Sequence, residues 1–372
     1  MARNFILIAA LLLIGGSIFY LQSTKIAPTS QADAPTDTTI KPLVENMTTK
    51  EKASRYGRVH EIVNPQGFIN TTGLKLADLV GKKVILVDFW TYSCINCQRT
   101  LPYLNAWYEK YKDQGLEIVG VHTPEFKFEQ ELNNVTQAVK KYGIQYPVLL
   151  DNRYETWTAY GNRYWPRKYL IDIDGFIVYD HIGEGAYDET EKKIQELLAE
   201  RAERLKTQFT APAELVAPKN ILETDAAKVQ SPEIYFGSAR NTYLGNGKSE
   251  WFGAQTLSLP TGIKTNILYL DGTWDFAGEN AENKTLGRIV FRYQAKDVYF
   301  VASSKNPLSI RVLRDGQPLG NLAGEDVNQS DSRATIQAER LYKLIKGDDY
   351  GEHTLEIIIE SPGLRAFTFT FG

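Results

Sequence analysis

The stretch Val87–Cys97 reads Val-Asp-Phe-Trp-Thr-Tyr-Ser-Cys-Ile-Asn-Cys and holds both cysteines of the 372-residue chain. The apolar run at residues 84–89, which ends inside this stretch, is typical of a strand buried on both faces. Residues 94–112 follow with apolar side chains at helical spacing, which predicts a helix starting at the first cysteine. Because backbone N–H groups at a helix N-terminus favour thiolate over thiol, Cys94 and Cys97 are predicted to form a redox site.

Two other roles of the cysteine pair stay open on sequence alone. A structural disulfide with two intervening residues would close a very short loop, which makes it a weak staple. Half of a zinc site would need two further ligands, and the chain has only four histidines, scattered along it. We therefore expect no metal and no cofactor beyond a redox-active disulfide between Cys94 and Cys97.

Asp88 is a charged residue inside an otherwise apolar strand. Burial there would raise its pKa and make it a candidate base for Cys97, directly or through water. An edge position facing solvent is the alternative.

The pattern Val-Asp-Phe-Trp-x-x-x-Cys-x-x-Cys, with Pro102 five residues after the second cysteine, resembles the active-site segment of thioredoxin-fold disulfide oxidoreductases. The string Trp-Thr-Tyr-Ser-Cys-Ile-Asn-Cys-Gln-Arg-Thr-Leu-Pro-Tyr from Trp90, with Val-His-Thr-Pro-Glu-Phe from Val121, resembles more narrowly the extracytoplasmic part of DipZ proteins. Those are similar to TlpA-type thioredoxins, and the resemblance covers about residues 59–372. DipZ proteins usually begin with a multi-span membrane domain that supplies electrons, and this sequence contains no such stretch.

The resemblance implies a catalytic role for three residues. Cys94 would be the exposed nucleophile and Cys97 the resolving thiol that releases the mixed disulfide. Asp88 falls at the family's buried acid.

The resemblance also implies a substrate-binding groove lined by Trp90, Trp165 and Pro166. The bond between Trp165 and Pro166 would be cis, with the tryptophan backbone offered to the partner polypeptide. Sequence alone favours trans, since few X-Pro bonds are cis. Trp165 as a plain core aromatic is the other reading. Glu125 is a candidate for tuning the redox potential, or else a solvated loop acid.

The order of elements predicts two folded domains. Strands alternate with helices, and we predict a strand at residues 116–122, a helix at 129–142 and a last helix that starts at a capping box of Asp188 and Glu191 and turns Leu205 inward. Short strands between turn residues follow, without helices. We expect an α/β thioredoxin fold (TlpA-like) at 56–207, a linker at 208–230 and an all-β sandwich or jelly roll at 231–372.

Four aromatic residues of the second domain have two possible roles. In a domain that the resemblance describes as carbohydrate-binding-module-like, they would form a platform for stacking sugars; otherwise they fill the core. They are Trp251, Tyr269, Trp274 and Phe276.

The N-terminus predicts a single membrane anchor at residues 1–24. Phe5–Leu21 carries no charge, and as a helix it would reach about 26 Å, close to the ~30 Å hydrocarbon core of a bilayer. A cleaved signal peptide is the alternative, which would make the protein secreted. Residues 25–55 are rich in Thr, Pro, Ala and Asp and predict a tether. Either way the domains would lie on the extracytoplasmic (periplasmic) side.

The composition is that of an ordinary globular protein, with 43% hydrophobic residues and a net charge of −3, which gives no indication of nucleic-acid binding. We expect a thiol–disulfide oxidoreductase acting on exported proteins with disulfides, as a reductase fed by a separate membrane donor of the DsbD or CcdA type. One alternative is an envelope glycan- or surface-binding protein with a structural disulfide. The other is a thiol peroxidase.

Overall fold

The computed structural model describes residues 47–219 and 221–372. The predicted anchor and most of the predicted tether lie outside these residues. Across the two described ranges, no helix is both long and apolar enough to cross a membrane.

The first part of the described chain is built on a six-stranded mixed sheet with the order β1-β4-β3-β2-β5-β6. β2 pairs in parallel with β3 and antiparallel with β5, so it lies at the centre. All seven of its residues are buried, because both faces of the sheet are covered. The strands are β1 (Gly67–Ile69), β2 (Val84–Trp90), β3 (Leu116–His122), β4 (Val148–Leu150), β5 (Arg167–Ile171) and β6 (Ile177–Ile182).

Five α-helices accompany this sheet. The second starts directly after the first cysteine and buries Leu101, Leu104, Trp107 and Tyr111, which lie three or four residues apart on one face. This arrangement of strands and helices is the predicted thioredoxin fold. The helices are α1 (Thr49–Arg55), α2 (Ile95–Tyr111), α3 (Leu132–Lys141), α4 (Glu155–Ala159) and α5 (Tyr187–Leu205).

Two predicted helix starts are wrong. Residues 127–130 form a separate 3₁₀ turn, so α3 begins three residues after Glu129, whose carboxylate bonds to other loops. α5 begins at Tyr187 without a side-chain cap, because its N-cap residue is Ala186, and Glu191 is buried in the core. Leu205, predicted to face inward, is 39% exposed at the end of that helix.

Glu191 is 1% exposed and collects four hydrogen bonds. Its donors are Tyr111 Oη at 2.6 Å, Lys110 Nζ at 2.9 Å, Trp107 Nε1 at 3.2 Å and the Val216 amide at 2.8 Å. The carboxylate therefore joins α2, α5 and the chain that follows α5.

We expect Glu191→Ala to lower the free energy of unfolding by about 3 kcal/mol, because it leaves several buried donors without an acceptor. The matched control is Glu196→Ala on the same helix, which removes a partly exposed ion pair with Lys193. Its cost should stay under about 0.5 kcal/mol. Denaturant unfolding measures both, and equal losses would show that Glu191 is not a structural anchor.

The second part of the described chain is a large, curled, antiparallel all-β sheet. Its main path runs β14-β13-β17-β11-β9-β10-β18-β12-β16, with β7, β8 and β15 pairing beside it. The curl encloses one apolar core. The strands are β7 (Ile234–Tyr235), β8 (Gly253–Leu257), β9 (Leu268–Phe276), β10 (Ala281–Asn283), β11 (Gly287–Gln294), β12 (Asp297–Ser304), β13 (Leu308–Arg314), β14 (Gln317–Pro318), β15 (Arg333–Ile336), β16 (Arg340–Lys346), β17 (Glu352–Ile359) and β18 (Leu364–Phe371).

The four aromatic residues considered for sugar stacking do not form a platform. Tyr269, Trp274 and Phe276 are at most 4% exposed, and Trp274 Nε1 donates to the Asp271 carbonyl at 2.9 Å. Only Trp251 of the four is open, with 51% of its surface exposed. The core role is therefore the correct one for three of them.

The segment predicted as a linker is packed onto the α/β part. Phe209, Val216 and Leu222 contact its apolar cluster, and the Pro212 carbonyl accepts a hydrogen bond from Gln195 of α5. These four residues of the segment thus contact the folded part of the chain. The domain boundaries themselves stay a prediction.

Candidate active site

The cysteine pair lies where the central strand passes into a helix. β2 ends at Trp90, and Cys94 is the N-cap residue of α2. The Cys97 amide donates to the Cys94 sulfur at 3.3 Å. Both cysteines are free thiols, with Cys94 half-buried and Cys97 only 1% exposed. The helix terminus therefore offers its donors to the outer sulfur, while the inner one is shielded from solvent.

The peptide bond between Trp165 and Pro166 is cis, as predicted. The Trp165 carbonyl oxygen lies 4.0 Å from the Cys94 sulfur. The Trp165 ring is fixed by donating Nε1 to the Thr123 carbonyl at 3.0 Å and by packing on Trp157, with ring centroids 4.3 Å apart. The loop before β5 thus presents a backbone acceptor beside the reactive sulfur.

Asp88 lies in β2 beneath the cysteines and is 1% exposed. Burial raises the pKa of Asp88 to about 7, although the charge of Lys168 opposes that rise. Burial also raises the pKa of the Cys97 thiol, and Cys94 and Asp88 add to it. One carboxylate oxygen, Oδ1, has no hydrogen-bond partner among the described residues. The solvent-facing alternative for Asp88 is therefore excluded, and the site holds an acceptor able to take a proton.

Lys168 is a charged residue of the site that sequence reasoning missed. It is the direct antiparallel partner of Asp88 across β5 and β2, and it is 0% exposed. Its Nζ donates to the Gly183 carbonyl at 3.1 Å. Burial lowers the pKa of Lys168, and the charge of Asp88 acts in the opposite direction. The sequence does contain a signal for Lys168, because it is a charged residue in a predicted strand two residues after Pro166. That it faces Asp88 depends on the register between the strands, which the sequence does not reveal.

Glu129 is the second missed residue, and it holds the loop that leads into Cys94. Its buried carboxylate accepts from Ser93 Oγ at 2.6 Å and from the amides of Ser93, Glu125 and Phe126 at 3.2, 2.6 and 2.9 Å. One side chain thereby ties the residue before Cys94 to the loop after β3.

Trp90 is completely buried and meets His122 edge-on, with ring centroids 5.1 Å apart. Because β2 is covered on both faces, this indole offers no surface to a polypeptide, so its position does not support the predicted contact with substrate. Burial lowers the pKa of His122 to about 3, which leaves the ring neutral at physiological pH. Both rings form part of the core below the cysteine loop.

Glu125 bonds to the all-β part. Its Oε1 accepts from Tyr235 Oη and from Arg240 Nη1, both at 2.8 Å. Nearby, Tyr92 Oη donates to the Glu339 carbonyl at 3.2 Å. Glu125 therefore joins the two domains next to the active-site loop, and a direct action on the cysteines stays a prediction.

The acidic residues Asp172, Asp174 and Glu200 lie close enough together to share a cation. The ammonium of Lys52 already bonds to all three, at 2.6 Å to Asp172 and 3.2 Å to Asp174. We therefore interpret this group as an ion-pair network and assign no metal to it.

A half-exposed thiol at a helix N-terminus, a buried second thiol and a buried acid define a thiol–disulfide exchange site. Two family models match separate parts of the chain. A family model described as "AhpC/TSA family" matches residues 61–180, and one described as "Thioredoxin like C-terminal domain" matches residues 231–372.

Two curated relatives are informative. "Thiol-disulfide oxidoreductase ResA" of Bacillus anthracis is 34% identical over 124 residues, which is 33% of this chain and 68% of that protein. "Protein DipZ" of Mycobacterium tuberculosis is 36% identical over 323 residues, which is 85% of this chain and 43% of that protein. A solution structure of a thioredoxin-like protein in the oxidised form is 26% identical, covering 39% of this chain and 97% of its own, with a TM-score of 0.37.

The chain therefore belongs to the thioredoxin-fold thiol–disulfide oxidoreductases that include ResA, and over most of its own length it is similar to DipZ. It spans less than half the length of the DipZ proteins it matches.

Proposed function

We propose that this chain is a membrane-tethered, extracytoplasmic oxidoreductase that reduces disulfides of exported proteins. Its electrons would come from a separate membrane donor of the DsbD or CcdA type. The observation that carries this proposal is the asymmetry of the pair: Cys94 is half-buried beside the Trp165 carbonyl, whereas Cys97 is buried near Asp88. An open nucleophile and a protected resolving thiol suit the two successive steps of disulfide reduction.

In the first step the Cys94 thiolate attacks one sulfur of the substrate disulfide. The substrate S–S bond breaks, its other sulfur leaves and takes up a proton, and a mixed disulfide forms. In the second step Cys97 gives its proton to Asp88 and attacks the Cys94 sulfur. The substrate leaves as a dithiol, and Cys94 and Cys97 are joined as a disulfide that the dithiol of the membrane donor reduces again.

The direct test mixes the reduced full-length chain with oxidised insulin and quenches with a thiol-alkylating reagent. We expect each chain to lose two alkylatable thiols, while the reduction of one insulin disulfide produces two new thiols on insulin. Chains that keep both thiols while the insulin disulfides persist would contradict the proposal.

The tether has its own test, since residues 1–24 lie outside the described part of the chain. We expect the mature protein to keep this segment and to remain with membranes after alkaline extraction. A mass that lacks it would instead show a cleaved signal peptide and a secreted protein.

A thiol peroxidase is the second candidate, because the AhpC/TSA model matches residues 61–180. Among the described residues, the Cys94 sulfur has polar contacts with the Cys97 amide, the Cys97 thiol and the Trp165 carbonyl, whereas Arg99 bonds to other groups. The reduced chain is therefore expected to consume hydrogen peroxide no faster than a free thiol does. Rapid consumption would favour the peroxidase.

A further inference from the structure

The first of the two residues between the cysteines, Ile95, lies in an apolar cluster to which the all-β domain contributes. Ile95 is 2% exposed although it lies in the first turn of α2. It belongs to the same buried apolar cluster as Val301, Leu341 and Phe367, which come from β12, β16 and β18. The all-β domain therefore contributes to the same apolar cluster as the active-site turn.

The second intervening residue, Asn96, is held by a buried cation. Its Oδ1 accepts from Arg99 Nη1 at 3.1 Å. Arg99 is 3% exposed, and the same Nη1 donates to Glu184 Oε1 at 3.0 Å. Its Nη2 donates to Tyr299 Oη at 3.4 Å, across 200 residues of sequence. The guanidinium thus joins the active-site turn, the loop after β6 and the all-β domain.

The all-β end of this chain of contacts is itself fixed. Tyr299 Oη donates to Asp297 Oδ2 at 3.2 Å, and Asp297 Oδ1 accepts the Gly347 amide at 3.0 Å. The Gly372 carbonyl accepts from the Asp297 amide at 2.7 Å, and the Gly372 backbone lies close to the end of the Arg99 side chain. The phenol that contacts Arg99 is therefore itself hydrogen-bonded within the all-β domain.

The geometry points to a role for the all-β domain inside the redox site: through Tyr299 it positions Arg99, and Arg99 positions Asn96 and sets the reduction potential of the cysteine pair. This inference rests on the proposed function, because it requires Cys94 and Cys97 to cycle between dithiol and disulfide. Arg99 is a positioning residue, since it touches neither sulfur.

The direction of the effect follows from charge. Negative charge that develops on the Cys94 sulfur lies at the start of α2, where a buried cation about one turn along stabilises it. Removing Arg99 also leaves Glu184 without its counter-charge near the same turn. Both changes disfavour the reduced form, so the potential should become more negative. By linkage, the redox state in turn changes how firmly the two domains hold each other.

The test is the equilibrium of the full-length chain with glutathione buffers, in the wild type and two interface variants. For Arg99→Met we expect the equilibrium constant for reduction of the Cys94–Cys97 disulfide to fall about tenfold. This corresponds to a reduction potential that is more negative by about 30 mV. Tyr299→Phe keeps the charge and the ring and should shift the constant about threefold in the same direction.

Two matched controls remove equivalent groups inside the all-β domain. Tyr342→Phe deletes a hydroxyl that bonds to Gln337 and Ala338, and Arg314→Met deletes a mostly buried arginine that bonds to Asp348 and Asp349. Both should keep the potential of the wild type even where they lower stability.

Interface variants that fold and keep the wild-type potential, or controls that shift it equally, would overturn this inference. The wild type separates this failure from that of the proposed function. If the wild-type cysteine pair cannot be oxidised and reduced reversibly, the proposed function fails. If the pair is reversible but its reduction potential does not change in the Arg99 and Tyr299 variants, only the role of the all-β domain is removed.

Discussion

Cys94→Ser is expected to abolish reduction of protein disulfides, with a loss of at least about a thousandfold, because the attacking thiolate is gone. Cys97→Ser should behave differently. Cys94 can still attack, but no buried thiol follows to release the substrate, so a mixed disulfide accumulates. The half-exposed and fully buried positions of the two sulfurs predict this difference.

Non-reducing electrophoresis of each variant after incubation with oxidised insulin checks this prediction. We expect an adduct that dithiothreitol removes with Cys97→Ser and none with Cys94→Ser. An adduct formed by Cys94→Ser would reverse the assigned roles. Equal activity of both variants and the wild type would remove the pair from the mechanism.

Asp88→Asn is expected to slow the resolving step by about a hundredfold at neutral pH, the usual contribution of a general base. Because burial raises the pKa of Asp88 to about 7, its carboxylate form appears as the pH rises through 7. The wild-type rate of this step should therefore increase across that range, whereas the asparagine variant should show no such increase.

Lys168→Met tests the partner of this acid. Without the ammonium, the Asp88 anion loses the charge of Lys168 that favours it, so the rise in rate should move to higher pH. Lys52→Met is the matched control, since it removes another buried lysine, one that forms an ion pair with Asp172, from the same domain without touching the site. Single-turnover release of a mixed disulfide at several pH values measures both. A control that shifts the profile as far as Lys168→Met would show a general loss of structure.

The buried Asp88 and Lys168 are also expected to lower the free energy of unfolding. With a folded-state pKa of about 7 and an unfolded value near 3.8, Asp88 binds more protons in the folded chain between these limits. Its contribution to the free energy of unfolding therefore falls as the pH rises from about 4 to 7. Replacing both groups in Asp88→Asn/Lys168→Met should remove this dependence and hold stability at or above that of the wild type at pH 8, while the resolving step stays slow.

Local signals in the sequence were sufficient for the centre of the site. The apolar run of β2, the helical stripe of α2 and the spacing of Cys94 and Cys97 lie within one short stretch, and the structure has each of them within a residue of the prediction. The cis bond before Pro166 came from resemblance, because nothing local distinguishes it from the usual trans form.

Other features depend on contacts that no local pattern carries. Lys168 faces Asp88 only because of the register between β5 and β2, and Tyr299 reaches Arg99 only because the domains dock. Burial in the structure also distinguished core residues from binding residues where the residue type allowed both roles. Trp274 suits a sugar platform as well as a core by composition, and Trp90 suits a groove as well as a core, yet both are buried.

The measurement that tests the central claim most directly is the reduction potential of the Cys94–Cys97 pair, obtained by equilibrating the full-length chain with glutathione or dithiothreitol buffers. We predict a reversible two-electron transition near the reducing end, about −270 mV, as expected of a reductase with a membrane donor. A value near about −120 mV would make the chain an oxidant that installs disulfides and would contradict the direction. A pair that resists reduction below about −300 mV would be a structural disulfide, and the proposed function would fall.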